Sequence, residues 1–192
     1  RTSVLFVFLL TACGGTEDGV EAEITGLLPG EAYQSVQEKI QGGVEDNINR
    51  NVVGISIQVG NAQYVCSGSL IAPNLVLTAQ HCVAQCPSQI ACGQTRFGPV
   101  HSPNSLAITT QANMSNGEWR RVREVHVGTP NGDVCGNDIA VLVLNDSVPA
   151  FEAVPLTPRL DEYPAVGEIM TAIGYGHTGA GNDSGQRRMI GF

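Results

Sequence analysis

The sequence predicts an all-β fold, and three observations favour that class. Of its 192 residues, 42% are hydrophobic and only 15% are charged, which is enough apolar material for a sizeable core. The 23 glycines and 10 prolines supply many turns. The apolar runs are short and β-branched, as between turns in a one- or two-domain β protein. The clearest run, residues 53–59 (VGISIQV), alternates partly with period two, and residues 109–114 and 119–127 are further strand candidates.

The net charge and the cysteine content indicate which classes of binding partner and which cellular compartment suit this protein. The formal net charge of −8 argues against nucleic acid, since no cluster of Lys and Arg offers a stripe for phosphates. Acidic charge by itself otherwise indicates solubility. Six cysteines behind an export signal indicate an oxidising compartment. No run reaches the roughly 18 apolar residues of a transmembrane helix.

Residues 1–13 have the pattern of an export signal, in which a positive start precedes the apolar residues 4–10. Residues 10–13 (LTAC) resemble the lipobox of bacterial lipoproteins. This resemblance implies that the Cys13 thiol is acylated and anchors the protein to a membrane surface without spanning it. The alternative is an ordinary secretory signal, and the missing initiator Met indicates that the sequence starts inside the signal. Residues 14–39 are acidic and aperiodic, and we expect a linker or pro-segment there.

Residues 66–83 (CSGSLIAPNLVLTAQHCV) are the most informative stretch. Two short apolar runs flank residues 72–74 (APN), which predict a turn because Pro presets φ and Asn tolerates turn geometry. Folding the segment back there leaves Cys66 and Cys82 equally far from the turn, so a disulfide between them is geometrically reasonable. His81 stands beside this disulfide at the end of an apolar run and is a candidate general base. The alternative is a solvated loop histidine beside a structural disulfide.

Residues 135–144 (CGNDIAVLVL) place a carboxylate at the mouth of a buried-strand candidate. The run after Asp138 contains no charge, and a carboxylate in such a place is costly unless it is hydrogen bonded. A histidine Nδ1–H is a natural partner, and the bond would hold the imidazole in the tautomer that accepts a proton. The alternative is that Asp138 caps the strand in a turn, which Gly136 and Asn137 permit.

Three segments together resemble the trypsin-like (chymotrypsin-fold) serine proteases. Residues 39–43 (KIQGG) are similar to the family's activation site, where cleavage after a basic residue frees an Ile-x-Gly-Gly terminus. Residues 66–82 are similar to the pattern CGGxLI…WVLTAAHC, with Gln80 in place of a small residue. Residues 137–144 are similar to NDIALLxL.

The resemblance implies a two-barrel chymotrypsin-like fold, of which residues 40–192 contain a complete first barrel and the beginning of the second. Residues 166–176 (VGEIMTAIGYG) resemble the family's V-x-G-W-G opening of the second barrel, with Tyr175 replacing Trp. The resemblance also implies a serine endopeptidase that acts on a protein or peptide substrate, without a cofactor, through a Ser-His-Asp triad. In that triad His81 is the general base and Asp138 orients it.

The resemblance assigns the activation cleavage to the bond between Lys39 and Ile40, made by an activating protease. In the family the freed ammonium folds inward and pairs with an Asp beside the nucleophile. The physics fits, because an α-amino group with a pKa of about 8 is charged at neutral pH and a buried charge needs a partner. Without the resemblance, Gly42 and Gly43 indicate only a flexible turn.

The remaining cysteines and histidines favour structural roles. We expect Cys92 to pair with Cys135, which leaves Cys86 free or paired outside this sequence, although sequence does not fix the connectivity. Cys86 and Cys92 lack the repeated spacing of a zinc site. His101 and His126 have no cysteine or carboxylate at ligand spacing, and we therefore expect no metal site.

Residues 181–185 (GNDSG) look like the family's nucleophile motif GDSGG, but we reject Ser184 as the nucleophile. Gln186 stands where the second Gly belongs, and in the family further strands precede the true serine. We expect that serine beyond residue 192 and expect residues 1–192 alone to be inactive. The alternative is a non-catalytic protease homologue that acts as a binding or adaptor protein, which Gly or Ala in place of the downstream serine would indicate.

Overall fold

The computed structural model describes residues 43–178 and 184–192. The expected export signal (residues 1–13) and the expected linker or pro-segment (residues 14–39) lie outside the described residues. So do Cys13, Lys39 and Ile40.

The described residues form nine strands and three single-turn 3-10 helices, without an α-helix, and the predicted all-β class is confirmed. No helix in these ranges is long and apolar enough to cross a membrane. The strands are β1 Val44–Glu45, β2 Val52–Val59, β3 Ala62–Ala72, β4 Leu75–Thr78, β5 Leu106–Thr109, β6 Arg120–Val127, β7 Ala140–Leu144, β8 Thr171–Gly174 and β9 Arg188–Gly191. The 3-10 helices are Gln80–Cys82, Pro103–Ser105 and Met114–Asn116.

Six strands close into an antiparallel barrel in the order β2-β3-β4-β7-β6-β5, and β5 pairs back onto β2. Side chains alternate between the two faces of a strand, so Val53, Ile55 and Ile57 of β2 point together into the barrel, where each is at most 3% exposed. The other strands complete this core with Leu70, Val76, Leu106, Ile108, Val122, Leu142 and Leu144. The first barrel is therefore present as a packed unit.

A second, three-stranded sheet has the order β1-β9-β8 and is antiparallel throughout. It meets the barrel at a separate cluster of Val52, Met114 and Tyr175, whose side chains are buried. The strand β8 lies within the segment expected to open the second barrel. The two sheets thus pack on each other through the opposite face of β2.

Two of the predicted strands match the structure to within one residue, as β2 and β6. The predicted strand at residues 109–114 is wrong, because β5 ends at Thr109. The Thr109 hydroxyl accepts a hydrogen bond from the Gln111 amide at 3.2 Å, and Asn113 Oδ1 accepts one from the Ser115 amide at 2.8 Å. Such local bonds from side chain to backbone compete with strand pairing and favour turns.

Two disulfides link segments of the barrel and the loops that connect its strands. Cys66 on β3 is bonded to Cys82, with 6.0 Å between their Cα atoms and a sequence separation of 16. Cys92 is bonded to Cys135, with 5.4 Å between their Cα atoms and a separation of 43. Cys86 belongs to neither disulfide, and its Sγ lies 3.7 Å from the Pro87 carbonyl oxygen.

A buried ion pair lies where the second sheet meets the barrel. Arg187 Nε donates to Asp46 Oδ2 at 3.1 Å, and their side chains are 0% and 1% exposed. Burial raises the pKa of the Asp46 carboxyl, but hydrogen bonds from the Ile48 and Asn49 amides and the charge of Arg187 outweigh it. The net pKa lies below its usual value, so the carboxylate is ionised at neutral pH.

We expect the double variant Cys66→Ala/Cys82→Ala to unfold with a free energy about 3 kcal/mol lower, because the unfolded chain regains the entropy of the closed loop. The matched variant Cys92→Ala/Cys135→Ala opens a longer loop and should lose roughly 4 kcal/mol. Urea unfolding measures both losses. A larger loss for the shorter loop would contradict the entropic explanation.

The lowered pKa of Asp46 makes part of the stability dependent on pH. Ionisation of Asp46 stabilises the fold above the unfolded pKa of about 3.9, and this contribution is lost as the pH falls through the folded pKa. In Asp46→Asn we expect a smaller decline of the unfolding free energy with acid, and lower stability at neutral pH because Arg187 is left uncompensated.

Urea unfolding at a series of pH values measures this difference. The exposed Asp146 provides the control: Asp146→Asn should keep the acid-dependent decline of the unaltered protein. The same decline in Asp46→Asn would show that the buried pair does not respond to acid.

Candidate active site

His81 follows directly from the barrel strand β4. The strand ends at Thr78, Ala79 is extended, and the chain then makes the single 3-10 turn Gln80–Cys82. The turn is held because Cys82 is bonded to Cys66 on the neighbouring strand β3. The imidazole is thereby presented at the end of the barrel on a short backbone segment fixed at both sides.

Asp138 reaches the same end of the barrel from strand β7. The strands β4 and β7 are antiparallel neighbours, and Thr78 is paired with Ala140. Because the strands run in opposite directions, the residues just after Thr78 and just before Ala140 lie at one edge. His81 and Asp138, which are 57 residues apart in the sequence, meet there.

The Asp138 carboxylate binds His81 through both of its oxygens. Asp138 Oδ2 lies 2.7 Å from His81 Nδ1, and Asp138 Oδ1 accepts the His81 backbone amide at 2.8 Å. The two side chains are 7% and 5% exposed. A carboxylate held by the backbone and the ring of one residue fixes both the position and the rotation of that ring.

This geometry decides which ring nitrogen can act as a base. An ionised carboxylate only accepts hydrogen bonds, so it favours the imidazole tautomer with the proton on Nδ1. The lone pair is then on Nε2, which lies 3.5 Å from the Cys82 sulfur. The pair can therefore take up a proton at Nε2 and stabilise the resulting imidazolium through Asp138.

The loop that precedes Asp138 is held by hydrogen bonds that the sequence did not indicate. Asp133 Oδ1 accepts the Cys135 amide at 2.8 Å, and Asn137 Nδ2 donates to the Asp133 carbonyl at 3.0 Å. Gly136 has a positive φ of 81°, a backbone conformation that residues other than glycine rarely adopt. In the sequence, Gly136 and Asn137 indicate a turn before Asp138. Nothing in the sequence indicates that Asp133 holds this loop.

Gln80, the departure from the family pattern beside His81, is fully buried. Its Nε2 lies 3.5 Å from the carbonyl oxygen of Thr129, and the Thr129 hydroxyl donates to Asn137 Oδ1 at 3.2 Å. Gln80 thus packs against the loop that carries Asp138. His81 beside it keeps both of its hydrogen bonds to Asp138.

Within the described residues, one group of three potential metal ligands was found, and it consists of Cys66, His81 and Cys82. The two cysteine sulfurs form a disulfide and are not thiolates, so this group does not resemble a zinc site. His126 Nε2 lies 3.0 Å from Glu124 Oε2 at the exposed surface of β6. Burial lowers the pKa of His101, which favours its neutral form.

Ser184 lies in an exposed turn before β9. It lines a surface groove together with Met114, Ser115 and Trp119, and this groove includes neither His81 nor Asp138 among its lining residues. The next residue, Gly185, is bonded through its backbone to Met114. The described residues therefore contain the histidine and the carboxylate in contact, with Ser184 in a different surface feature.

The comparisons with known proteins match most of this chain to one family. The family model described as "Trypsin" matches residues 40–190. Human chymotrypsin-like elastase family member 3A is 29% identical over 113 residues, which is 58% of this chain and 37% of that protein. Trypsin alpha of Drosophila melanogaster is 25% identical over 181 residues, which is 94% of this chain and 61% of that protein.

The chain thus spans less than two thirds of the length of these curated relatives. Among solved structures, scabies mite inactivated protease paralogue S-I1 matches with a TM-score of 0.61 and 20% identity, over 79% of this chain and 64% of that one. Paralogue S-D1 matches with a TM-score of 0.62 and 18% identity, over 80% and 62%. These structures share the fold. The family match over residues 40–190 and the barrel that supports the His81–Asp138 pair show that this chain belongs to the trypsin family of proteases.

Proposed function

We propose that the whole protein is an exported serine endopeptidase that hydrolyses peptide bonds through a Ser-His-Asp triad. His81 is the general base, Asp138 orients it, and the nucleophilic serine lies in chain beyond residue 192. The contact that carries this proposal is the pair of hydrogen bonds, 2.7 Å and 2.8 Å long, that the Asp138 carboxylate accepts from the ring and the backbone amide of His81. An Asp that only capped its strand would not need to hold both.

The reaction follows from the tautomer that Asp138 imposes. The serine oxygen attacks the peptide carbonyl carbon while His81 Nε2 takes the hydroxyl proton. Asp138 stabilises the imidazolium, which then gives the proton to the leaving amine as the peptide bond breaks. A water molecule, deprotonated by the same nitrogen, then attacks the acyl carbonyl carbon. The ester bond to the serine breaks, and the imidazolium gives its proton back to the serine oxygen. His81 thus returns to its starting state after each cycle.

The proposal includes an activation step at the bond between Lys39 and Ile40, with residues 14–39 as linker or pro-segment and residues 40–192 as the protease part. An activating protease would cut there, and the new Ile40 ammonium would require a buried carboxylate partner. The position of β1 supports this step, because Val44 begins a strand shortly after Ile40 and is already paired with Met189.

Export is proposed from the signal-like residues 1–13, with lipid attachment at Cys13 as the specific form. The two disulfides, Cys66–Cys82 and Cys92–Cys135, support an oxidising compartment. Lipid attachment would place the enzyme on a membrane surface, where it meets protein or peptide substrates.

We expect His81→Ala in the full-length, activated protein to lower kcat by roughly 10⁶-fold, because the serine loses its base. Asp138→Asn should lower kcat by about 10⁴-fold, because the ring then adopts the wrong tautomer. Hydrolysis of a panel of peptide substrates measures both effects. Circular dichroism and urea unfolding should show that each variant remains folded.

Ser184→Ala is the matched control and should leave kcat unchanged, and residues 1–192 alone should not hydrolyse peptides. Loss of activity in Ser184→Ala would make Ser184 the nucleophile and overturn this assignment. A folded full-length protein without peptidase activity would favour the alternative, a non-catalytic homologue that binds proteins or serves as an adaptor.

A further inference from the structure

Arg187 is a fully buried arginine at the junction of the barrel and the second sheet. It directly precedes β9, which is the middle strand of that sheet. The chain has only 10 Lys and Arg residues and a net charge of −8, so the burial of one cation is unusual. A buried guanidinium is costly unless anions and acceptors satisfy it. Nε and Nη1 of Arg187 have such partners, and Nη2 has none among the described residues.

The guanidinium of Arg187 is bonded to four separate segments. Nε donates to Asp46 Oδ2 at 3.1 Å and to the Asp46 carbonyl at 3.2 Å. Nη1 donates to the carbonyl oxygens of Val52 at 3.1 Å and Thr110 at 3.0 Å, and to the Tyr175 hydroxyl at 3.0 Å. One side chain therefore joins the segment after β1, the start of β2, the end of β5 and the end of β8.

Asp46 supplies the charge that makes this burial stable. Its Oδ1 accepts the amides of Ile48 at 2.9 Å and Asn49 at 3.2 Å, which leaves Oδ2 for Arg187. The Asp46 amide also donates to the Arg187 carbonyl at 2.9 Å, so the two residues are linked through backbone and side chain. These bonds link the residue that follows β1 to the residue that precedes β9.

Tyr175 connects this centre to the hairpin that carries His81. Its hydroxyl donates to the Gln111 carbonyl at 2.7 Å and accepts from Arg187, while its backbone amide donates to Ser67 Oγ at 2.9 Å. The Ser67 carbonyl accepts the Thr78 hydroxyl at 2.9 Å, and Thr78 is the last residue of β4 before the His81 turn. The contacts from Arg187 to this hairpin are continuous.

Tyr175 supplies a hydrogen-bond acceptor for the guanidinium of Arg187. The indole of Trp, which occupies this place in the family pattern, is only a donor and offers no acceptor to a guanidinium. The Tyr175 hydroxyl is both donor and acceptor, and the Arg187 Cζ lies 5.8 Å from the centre of its ring. Tyr175 therefore offers Arg187 an acceptor that a Trp at this position would not.

We propose that Arg187 is a positioning residue that fixes the β1-β9-β8 sheet on the barrel carrying His81 and so sets where the second barrel presents the nucleophile. This inference rests on the proposed function for its catalytic consequence. The placement of the second sheet on the barrel does not depend on the proposed activity and can be tested without it. Arg187 acts through Asp46 and Tyr175 and does not touch the reacting atoms.

The first test is hydrogen exchange in the full-length protein. Arg187→Met keeps the length of the side chain and removes its charge and donors. We expect amides of β1, β8 and β9 to exchange at least about tenfold faster, the factor for one lost hydrogen bond to a charged group, while amides of β4 and β7 keep their rates. Tyr175→Phe removes a single hydroxyl, should remain folded, and should change exchange in the same strands.

Arg188→Met is the matched control, since it makes the same substitution at the neighbouring position, where Nη1 only approaches the Gly43 carbonyl at 3.5 Å. It should leave exchange in all of these strands unchanged. Equal acceleration in both sheets of Arg187→Met, or the same effect from Arg188→Met, would overturn the positioning role.

The second test separates position from stability in activated enzyme. A misplacement of about 1 Å costs up to about 10²-fold in rate, so Arg187→Met and Tyr175→Phe should lower kcat by about 10- to 100-fold with a smaller change in KM. Arg187→Lys keeps the charge and should recover part of kcat. Unchanged kcat in a variant whose second sheet exchanges faster would refute the catalytic consequence. If the unaltered protein has no peptidase activity, the proposed function fails, and hydrogen exchange alone decides the placement role.

Discussion

The antiparallel pairing of β4 with β7 is the constraint on which the candidate site depends. Thr78 faces Ala140 in this pairing, and every residue of the two strands is apolar apart from Thr78. Because side chains alternate, a shift by one residue would turn the buried side chains of β7 outward and carry Asp138 away from His81. The burial of Leu142 and Leu144 therefore fixes the contact between two polar residues at the end of the barrel.

The carboxylates of Asp138 and Asp46 are held in the same way. Asp138 accepts a backbone amide with one oxygen and the His81 ring with the other, and Asp46 accepts two backbone amides with one oxygen and Arg187 with the other. Backbone donors favour the ionised form and fix the plane of the carboxylate. A protein with few charges thus places two of them where they orient a histidine and join two sheets.

Much of the barrel and its site could be predicted from local patterns. The turn at residues 72–74 separates β3 from β4 as expected, and the two cysteines on either side of it are bonded. The contact of Asp138 with His81 was anticipated because an uncharged strand follows the carboxylate and the family pattern has the same pair. In these cases a short motif marks each residue involved, and the family pattern pairs the motif of His81 with that of Asp138.

Contacts between distant segments that carry no recognisable motif could not be predicted in this way. Arg187 and Asp46 are 141 residues apart, and no periodicity or motif connects them. The pair depends on the packing of the second sheet against β2, which only the folded chain specifies. The end of β5 was missed for a different reason, because the hydroxyl of Thr109 turns the backbone where its β-branched side chain favours a strand.

The proposed mechanism requires that Asp138 fixes the tautomer of His81. The most direct measurement is a ¹H–¹⁵N NMR correlation that reports which ring nitrogen of His81 carries the proton in the neutral imidazole. The structure predicts a protonated Nδ1 and an unprotonated Nε2 for His81. A ring with its proton on Nε2, or a rapidly exchanging mixture of the two tautomers, would contradict the account.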